Sequence, residues 1–247
     1  GRVVLSGPWT NTGALGVSSG GTLDVGGSWS NPNRVTADTG TVNFTSSLTL
    51  TGRVLELDGT GSFRVASSTV TGGTVRTLNG AKLGASGGTA TLDGVTVEGE
   101  LDLSSNNILT VTNGLTLNGT ATLGAGTSYG VLKFTGTQTL GGTGTVVFGD
   151  SSTNSAMAPY NSGSTLTIGP GITVRGGTGT IGLAWLSNSL NVSVVNQGTI
   201  QGDTAGRNIN VAASSPGSWS NEGTIEARGG RVVLSGPWTN TGALGVS

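Results

Sequence analysis

Few side chains in this 247-residue sequence are equipped for acid–base chemistry. There are 12 Asp and Glu against 11 Lys and Arg, with no His and no Cys. General acid and base groups would have to come from scattered carboxylates with Tyr129 or Tyr160. Glu98, Glu100 and Asp102 alternate on one strand face, and Glu56 and Asp58 do so two strand layers earlier. Such acids could hold a weak calcium ion. The two groups lie about 10 Å apart by strand spacing, however, and read as a solvated face. The sequence therefore nominates no catalytic residue, no metal ligand and no cofactor.

A second set of residues could bind rather than react. A Trp-Thr/Ser-Asn box occurs four times, as Trp9/Asn11, Trp29/Asn31, Trp219/Asn221 and Trp238/Asn240. A row of Trp could stack on sugar rings, or the four rings could stack on one another and fill a core or corner. The Asn residues are expected to hydrogen-bond from layer to layer, as stacked amides do. Thr pairs recur at Thr49/Thr51, Thr69/Thr71, Thr89/Thr91 and Thr110/Thr112. A double Thr row of this kind resembles an ice-binding face, or is a solvated sheet of good strand formers. Met157, Tyr160 and Trp185 fall outside these patterns and are candidate surface contacts.

These residues need a scaffold, and the apolar pattern supplies one. Pairs two residues apart, which share one strand face, recur about every twenty residues. They run Val3/Leu5, Leu23/Val25, Val42/Phe44, Phe63/Val65, Leu83/Ala85, Leu103/Ser105 and Leu123/Ala125. With looser steps they continue through Val146/Phe148, Leu166/Ile168, Leu190/Val192 and Ile209/Val211 to Val232/Leu234. A second column holds Leu15/Val17, Val35/Ala37, Leu55/Leu57, Val75/Thr77, Val95/Val97 and Leu115/Leu117, resuming at Ile200, Ile225/Ala227 and Leu244/Val246. A third holds Trp9, Trp29, Leu50, Val70, Ala90 and Val111, then Val195, Trp219 and Trp238. Three short strands per coil, with corners at Gly, Asn, Asp or Pro, predict an all-β fold: a single parallel, three-sided β-solenoid of about eleven coils of roughly 21 residues per 229-residue unit. Residues 149–164 and 182–190 fit no rung and are expected to bulge as loops. A third excursion, 202–218, surrounds the Ile209/Val211 strand.

Gly1–Ser18 returns letter for letter as Gly230–Ser247, an offset of 229 residues. Residues 1–229 are thus read as one unit of a tandem array, and 230–247 as the first coil of the next. Together they form one continuous domain with no linker. Gly is abundant, at 47 residues, but 34% hydrophobic content and a net charge of −1 do not match a disordered chain. No stretch is long and apolar enough to form a membrane-spanning helix, and the charge balance offers no basic footprint for nucleic acid.

The turns Asn196-Gln-Gly-Thr-Ile200, Asn221-Glu-Gly-Thr-Ile225 and Asn11-Thr-Gly-Ala-Leu15 resemble those of giant bacterial β-solenoid surface proteins of the filamentous haemagglutinin and autotransporter-passenger type. That resemblance implies a right-handed parallel β-helix exported to the cell surface. It implies a structural role as a stalk, scaffold or adhesive filament, and it carries over no site residue. The expected partners are copies of the chain itself along a fibre, with glycans or other cell surfaces as further possibilities. The alternatives are a carbohydrate-binding adhesin and, further off, a polysaccharide-active β-helix enzyme or an ice-binding protein.

Overall fold

The structure is a computed structural model that describes residues 1–30, 33–150, 155–185, 191–213 and 215–247. Among these residues there is no helix, and every strand–strand pairing is parallel. The chain winds as a three-sided prism of about eleven turns, as the periodicity predicts. Side I begins with Arg2–Leu5, side II with Pro8–Thr10 and side III with Gly16–Ser18. The next turn lays Thr22–Val25, Ser28–Ser30 and Arg34–Asp38 on them. Thr91–Leu103 and Asn107–Leu123 each run through all three sides without losing strand pairing.

A strand of two to five residues buries too little to be stable alone. Stacking makes its inward face one rung of a continuous apolar column, each buried aliphatic contributing roughly 1.5–3 kcal/mol. Side I shows this directly. Val3/Leu5, Leu23/Val25, Val42/Phe44, Phe63/Val65 and Leu83/Ala85 stand in register, and all but the terminal pair are buried. Turns tighten where the chain enters side II. Gly27 has φ +76, and a Cβ there would lie 2.0 Å from the carbonyl oxygen of Gly7 in the turn beneath, so only Gly fits.

Most expected inward residues do point inward, but several rungs are displaced by two residues, and Val195, expected inward, is outward, with Val194 buried beneath Trp219 in its place. On side I, Leu83 stacks on Leu101 rather than Leu103, and Leu101/Leu103 on Ala121/Leu123. On side II, Leu48, Val70, Leu92 and Val111 share a column instead of Leu50, Val70, Ala90 and Val111. On side III, Val35 meets Leu57, and Val75 meets Val97. A two-residue slip keeps every side chain on its own face, so alternation alone does not fix it. One casualty is the double Thr row: Thr71 faces Thr49 on one side and Asp93 on the other.

Beyond residue 148 the expected columns also change sides. Val146/Phe148 continues on side I to Val174/Gly176, Ile200/Gly202, Ile225/Ala227 and Leu244/Val246. Leu166/Ile168 stands on side III, and Ile209/Val211 with Val232/Leu234 on side II. Leu190 lies outside the described residues. The turns here are longer than twenty residues, so a fixed step slips from one side to the next. Nor is 149–164 simply a loop: Ala156–Pro159 is a strand of side II, paired with Val131–Phe134 below and Thr180–Ile181 above.

Candidate functional site

Side III carries a ring stack and an amide ladder over Asn196, Trp219, Asn221, Trp238 and Asn240. Trp219 points inward and is 1% exposed. Its indole Nε1 donates to the carbonyl of Ser235 at 3.0 Å, and its ring stacks on Trp238 with centroids 5.0 Å apart and planes 7° off parallel. At the other end, on side II, Trp9 stacks on Trp29 at 5.4 Å and 2°, and its Nε1 donates to the carbonyl of Gly26 at 2.9 Å. Each indole thus binds the carbonyl three residues before the Trp that covers it. Trp29 passes the stack on to Phe44 at 6.4 Å and 6°. In both pairs ring stacks on ring, as the stacked reading of the box expects, but only Trp219 is fully buried, while Trp9 and Trp29 are half-buried against the core and Trp238 is exposed.

Two residues beyond Trp219 and Trp238, and beyond Val194 in the turn before, runs an amide ladder. Asn196 Nδ2 donates to Asn221 Oδ1 at 2.7 Å, and Asn221 Nδ2 to Asn240 Oδ1 at 2.7 Å. Asn221 Nδ2 also reaches the carbonyl of Ala243 at 3.1 Å. Asn240 and Asn11 cap their own turns, donating to Gly242 at 3.1 Å and Gly13 at 2.8 Å. Asn196 Oδ1 is buried without a partner. The ladder starts there because its neighbour in the preceding turn is Ile168, which has no donor. Asn31 lies outside the described residues. Asn196 was legible in the sequence only as a turn residue, and its place in the ladder needed the register.

The acids form a different ladder on the outward face of side III. Arg34, Glu56, Arg76 and Glu98 succeed one another turn by turn. Arg76 donates to Glu98 at 2.7 Å and reaches Glu56 at 3.4 Å, while Asp58 pairs with Arg34 and accepts from Asn79 at 2.6 Å. Asp58 is held below the ordinary carboxylate range, first by the Arg34 hydrogen bond and then by Asn79. Lys82 lies 3.5 Å from Asp102. The intervening Arg residues make these acids a chain of ion pairs. Among the described residues no three acids gather to hold a metal ion. On side I, Asp24 is buried, paired with Arg2, and accepts from Asn43 at 2.8 Å. The Asn43 bond leads the effects that hold its pKa low, against the opposing effect of burial.

The remaining surface candidates divide. Met157 is 0% exposed. It is a core rung between Leu132 and Ile181, not a surface contact. Tyr160 is 39% exposed, with Lys133 Nζ 4.7 Å from its ring centre. Trp185 is 44% exposed and meets Tyr129 edge-on at 5.7 Å and 74°. Near them a small satellite core of Val131, Ala156, Ala158 and Ala184 packs against Ile108 and Tyr129, apart from the main core. Ala156 and Ala158 alternate with inward Met157, so this cluster lies on the outer face of side II.

Fold and ladders define a parallel β-solenoid repeat protein. Compared with family models, curated proteins and solved structures, the chain matches none.

Proposed function

We propose that this chain is a segment of a long extracellular repeat fibre, of the filamentous haemagglutinin or autotransporter-passenger type, whose work is mechanical. The observation that carries the reading is the column of parallel turns, continuous in pairing along sides I and III among the described residues, with Trp stacks and an Asn ladder that involve the repeated Gly1–Ser18 sequence. Many of the ionisable groups pair with one another, which suits a rod. Placement at the cell surface rests on the resemblance of the Asn-x-Gly-Thr-Ile turns. Electron microscopy of the native assembly tests it. Filaments with an axial repeat of roughly 50 Å and a layer line near 4.8 Å are expected, and discrete globular particles would refute the fibre.

One observation favours a second reading, that of a glycan-binding adhesin. Trp185 with Tyr129, and Tyr160 with Lys133, place exposed aromatic rings near a cation on the surface of the same group of turns, the equipment of a sugar platform. Glycan-array binding that disappears in Trp185→Ala and Tyr160→Ala would establish it. Release of products from a polysaccharide panel would overturn both readings.

A further inference from the structure

The outward face of side I holds a cation with no partner and, beside it, a rung with no side chain. One outward column of this side runs Asp24, Asn43, Arg64, Gly84 and Asp102, turn over turn. Asp24 takes Arg2 and Asn43, so the Asn43 amide nitrogen is committed to the preceding turn. On its other side Arg64 meets Gly84, which offers nothing. Among the described residues the Arg64 guanidinium therefore forms no ion pair and no hydrogen bond. Arg2, Arg34, Arg76, Arg175, Arg207 and Arg228 each hold a carboxylate. Gly84 has no positive φ, so no turn demands it. The rung is close-packed, however, and an added Cβ would stand 3.0 Å from the carbonyl oxygen of Asp102.

The missing side chain leaves a notch of about 110 Å³ around Gly84, lined by Ser62, Arg64, Lys82, Asp102, Ser105 and Asn107. The charged groups among these are two cations and one carboxylate, a net charge of 2 − 1 = +1. Lys82 is loosely held, its Nζ 3.5 Å from Asp102 Oδ2. Asp102 is fixed through its other oxygen, since Oδ1 accepts from the Ser104 amide at 3.0 Å. Oδ2 keeps a lone pair for a further donor, and Ser62, Ser105 and Asn107 bring groups that both donate and accept. Ser105, which the twenty-residue period places on an inward rung, is exposed at the rim.

The geometry points to a subsite for one uronic acid residue of an acidic polysaccharide. A carboxylate suits Arg64, whose planar fork can donate two parallel bonds to it, and Lys82 adds a point charge beside them. A single negative charge also matches the net charge of the lining. A bare anion would leave Asp102 facing a like charge with nothing donating to it. A sugar acid answers both ends of the notch. Its carboxylate pairs with Arg64 and Lys82, and a ring hydroxyl donates to Asp102 Oδ2, with Ser105 and Asn107 within the same notch for its neighbours. The notch is open to solvent, so a residue within a polymer can enter it. Resting on the adhesin reading, this subsite gives it a ligand class, on a different face from Lys133 and the satellite core of side II.

Titration calorimetry of the full chain tests this with a glucuronic acid oligosaccharide, the glucose oligosaccharide of the same length and linkage, and inorganic phosphate. Binding of the first alone is expected. Arg64→Gln and Lys82→Gln should each weaken it roughly tenfold or more, the loss of a hydrogen bond to a charged group. Both side chains are exposed, so the melting curves should not move and serve as the check on folding. Equal binding of the glucose oligosaccharide would overturn the carboxylate's role, and equal binding of phosphate would reduce the notch to a simple anion site. No binding of the glucuronic acid oligosaccharide, or unchanged affinity in both variants, would remove the subsite. Trp185→Ala is expected to leave this binding intact. Loss in Trp185→Ala with Arg64→Gln silent would overturn the notch while leaving the adhesin reading in place.

Discussion

Side III carries two ladders, and they solve one problem by opposite means. Parallel stacking places each side chain about 4.8 Å from its counterpart in the next turn. On the outward face, where Arg34, Glu56, Arg76 and Glu98 succeed one another, identical charges at that distance would repel, so sign alternates turn by turn. On the inward face Asn196, Asn221 and Asn240 are identical. An amide carries both donor and acceptor, so like can follow like. A charge ladder therefore needs a two-turn pattern, whereas an amide or Trp ladder needs only repetition. That difference suits the second kind to a joint between repeats.

If the joint holds the rod together, the inward ladder should dominate stability. Trp219→Ala is expected to cost about 3–5 kcal/mol, as truncation of a fully buried ring does, seen as a lower denaturant midpoint. Trp9→Ala is expected to cost a similar amount in a multi-unit protein, since it removes the Trp29 stack and the bond to the Gly26 carbonyl. An unchanged melting curve would mean that the stacks are ornament on an already sufficient core. Asn221→Val comes next, at about 1–3 kcal/mol, because it strips Asn196 and Asn240 of their ladder partner at once. Asn196→Val should cost less, since Asn196 Oδ1 is already unpartnered. Equal losses at the two positions would dissolve the ladder into separate turn caps.

The comparison also separates what the sequence discloses from what it hides. Facing is mostly legible because inward and outward residues alternate, and that pattern predicts the prism and much of its core, although Leu132, Phe134 and Leu140 belong to no expected rung and Val194, not Val195, faces inward. The Trp boxes are legible as a stack because large identical rings can hardly be accommodated otherwise. Register is not legible, because Leu83 over Leu101 and Leu83 over Leu103 obey the same alternation. Without register Arg76 cannot be placed between Glu56 and Glu98, so the acids look unpaired. Asp24 is overlooked for the same reason, since both Arg2 and Asn43 belong to neighbouring turns. Met157 misleads differently. Set among Ser, Asn and Pro it reads as loop, and only the strand on either side of its rung shows it to be core.

The outward ladder should yield the small effects. Arg76→Ala is expected to change stability by about 0.2–1 kcal/mol, the range of exposed pairs, and the difference should shrink in high salt. A larger or salt-insensitive loss would put the two ladders on an equal footing. Acid titration gives the smallest and most local test. Asp24 and Asp58 both have folded pKa values below the ordinary 3.8. Their contribution is therefore complete above that value and is lost as pH falls below it through the folded values. Stability should be flat through neutral pH and drop only in strong acid. Because the Asn43 bond leads the effects lowering Asp24, Asn43→Ala should raise the folded pKa and shrink the stability that Asp24 loses in acid, while a neutral-pH defect of equal size at every pH would show that Asn43 acts through packing instead.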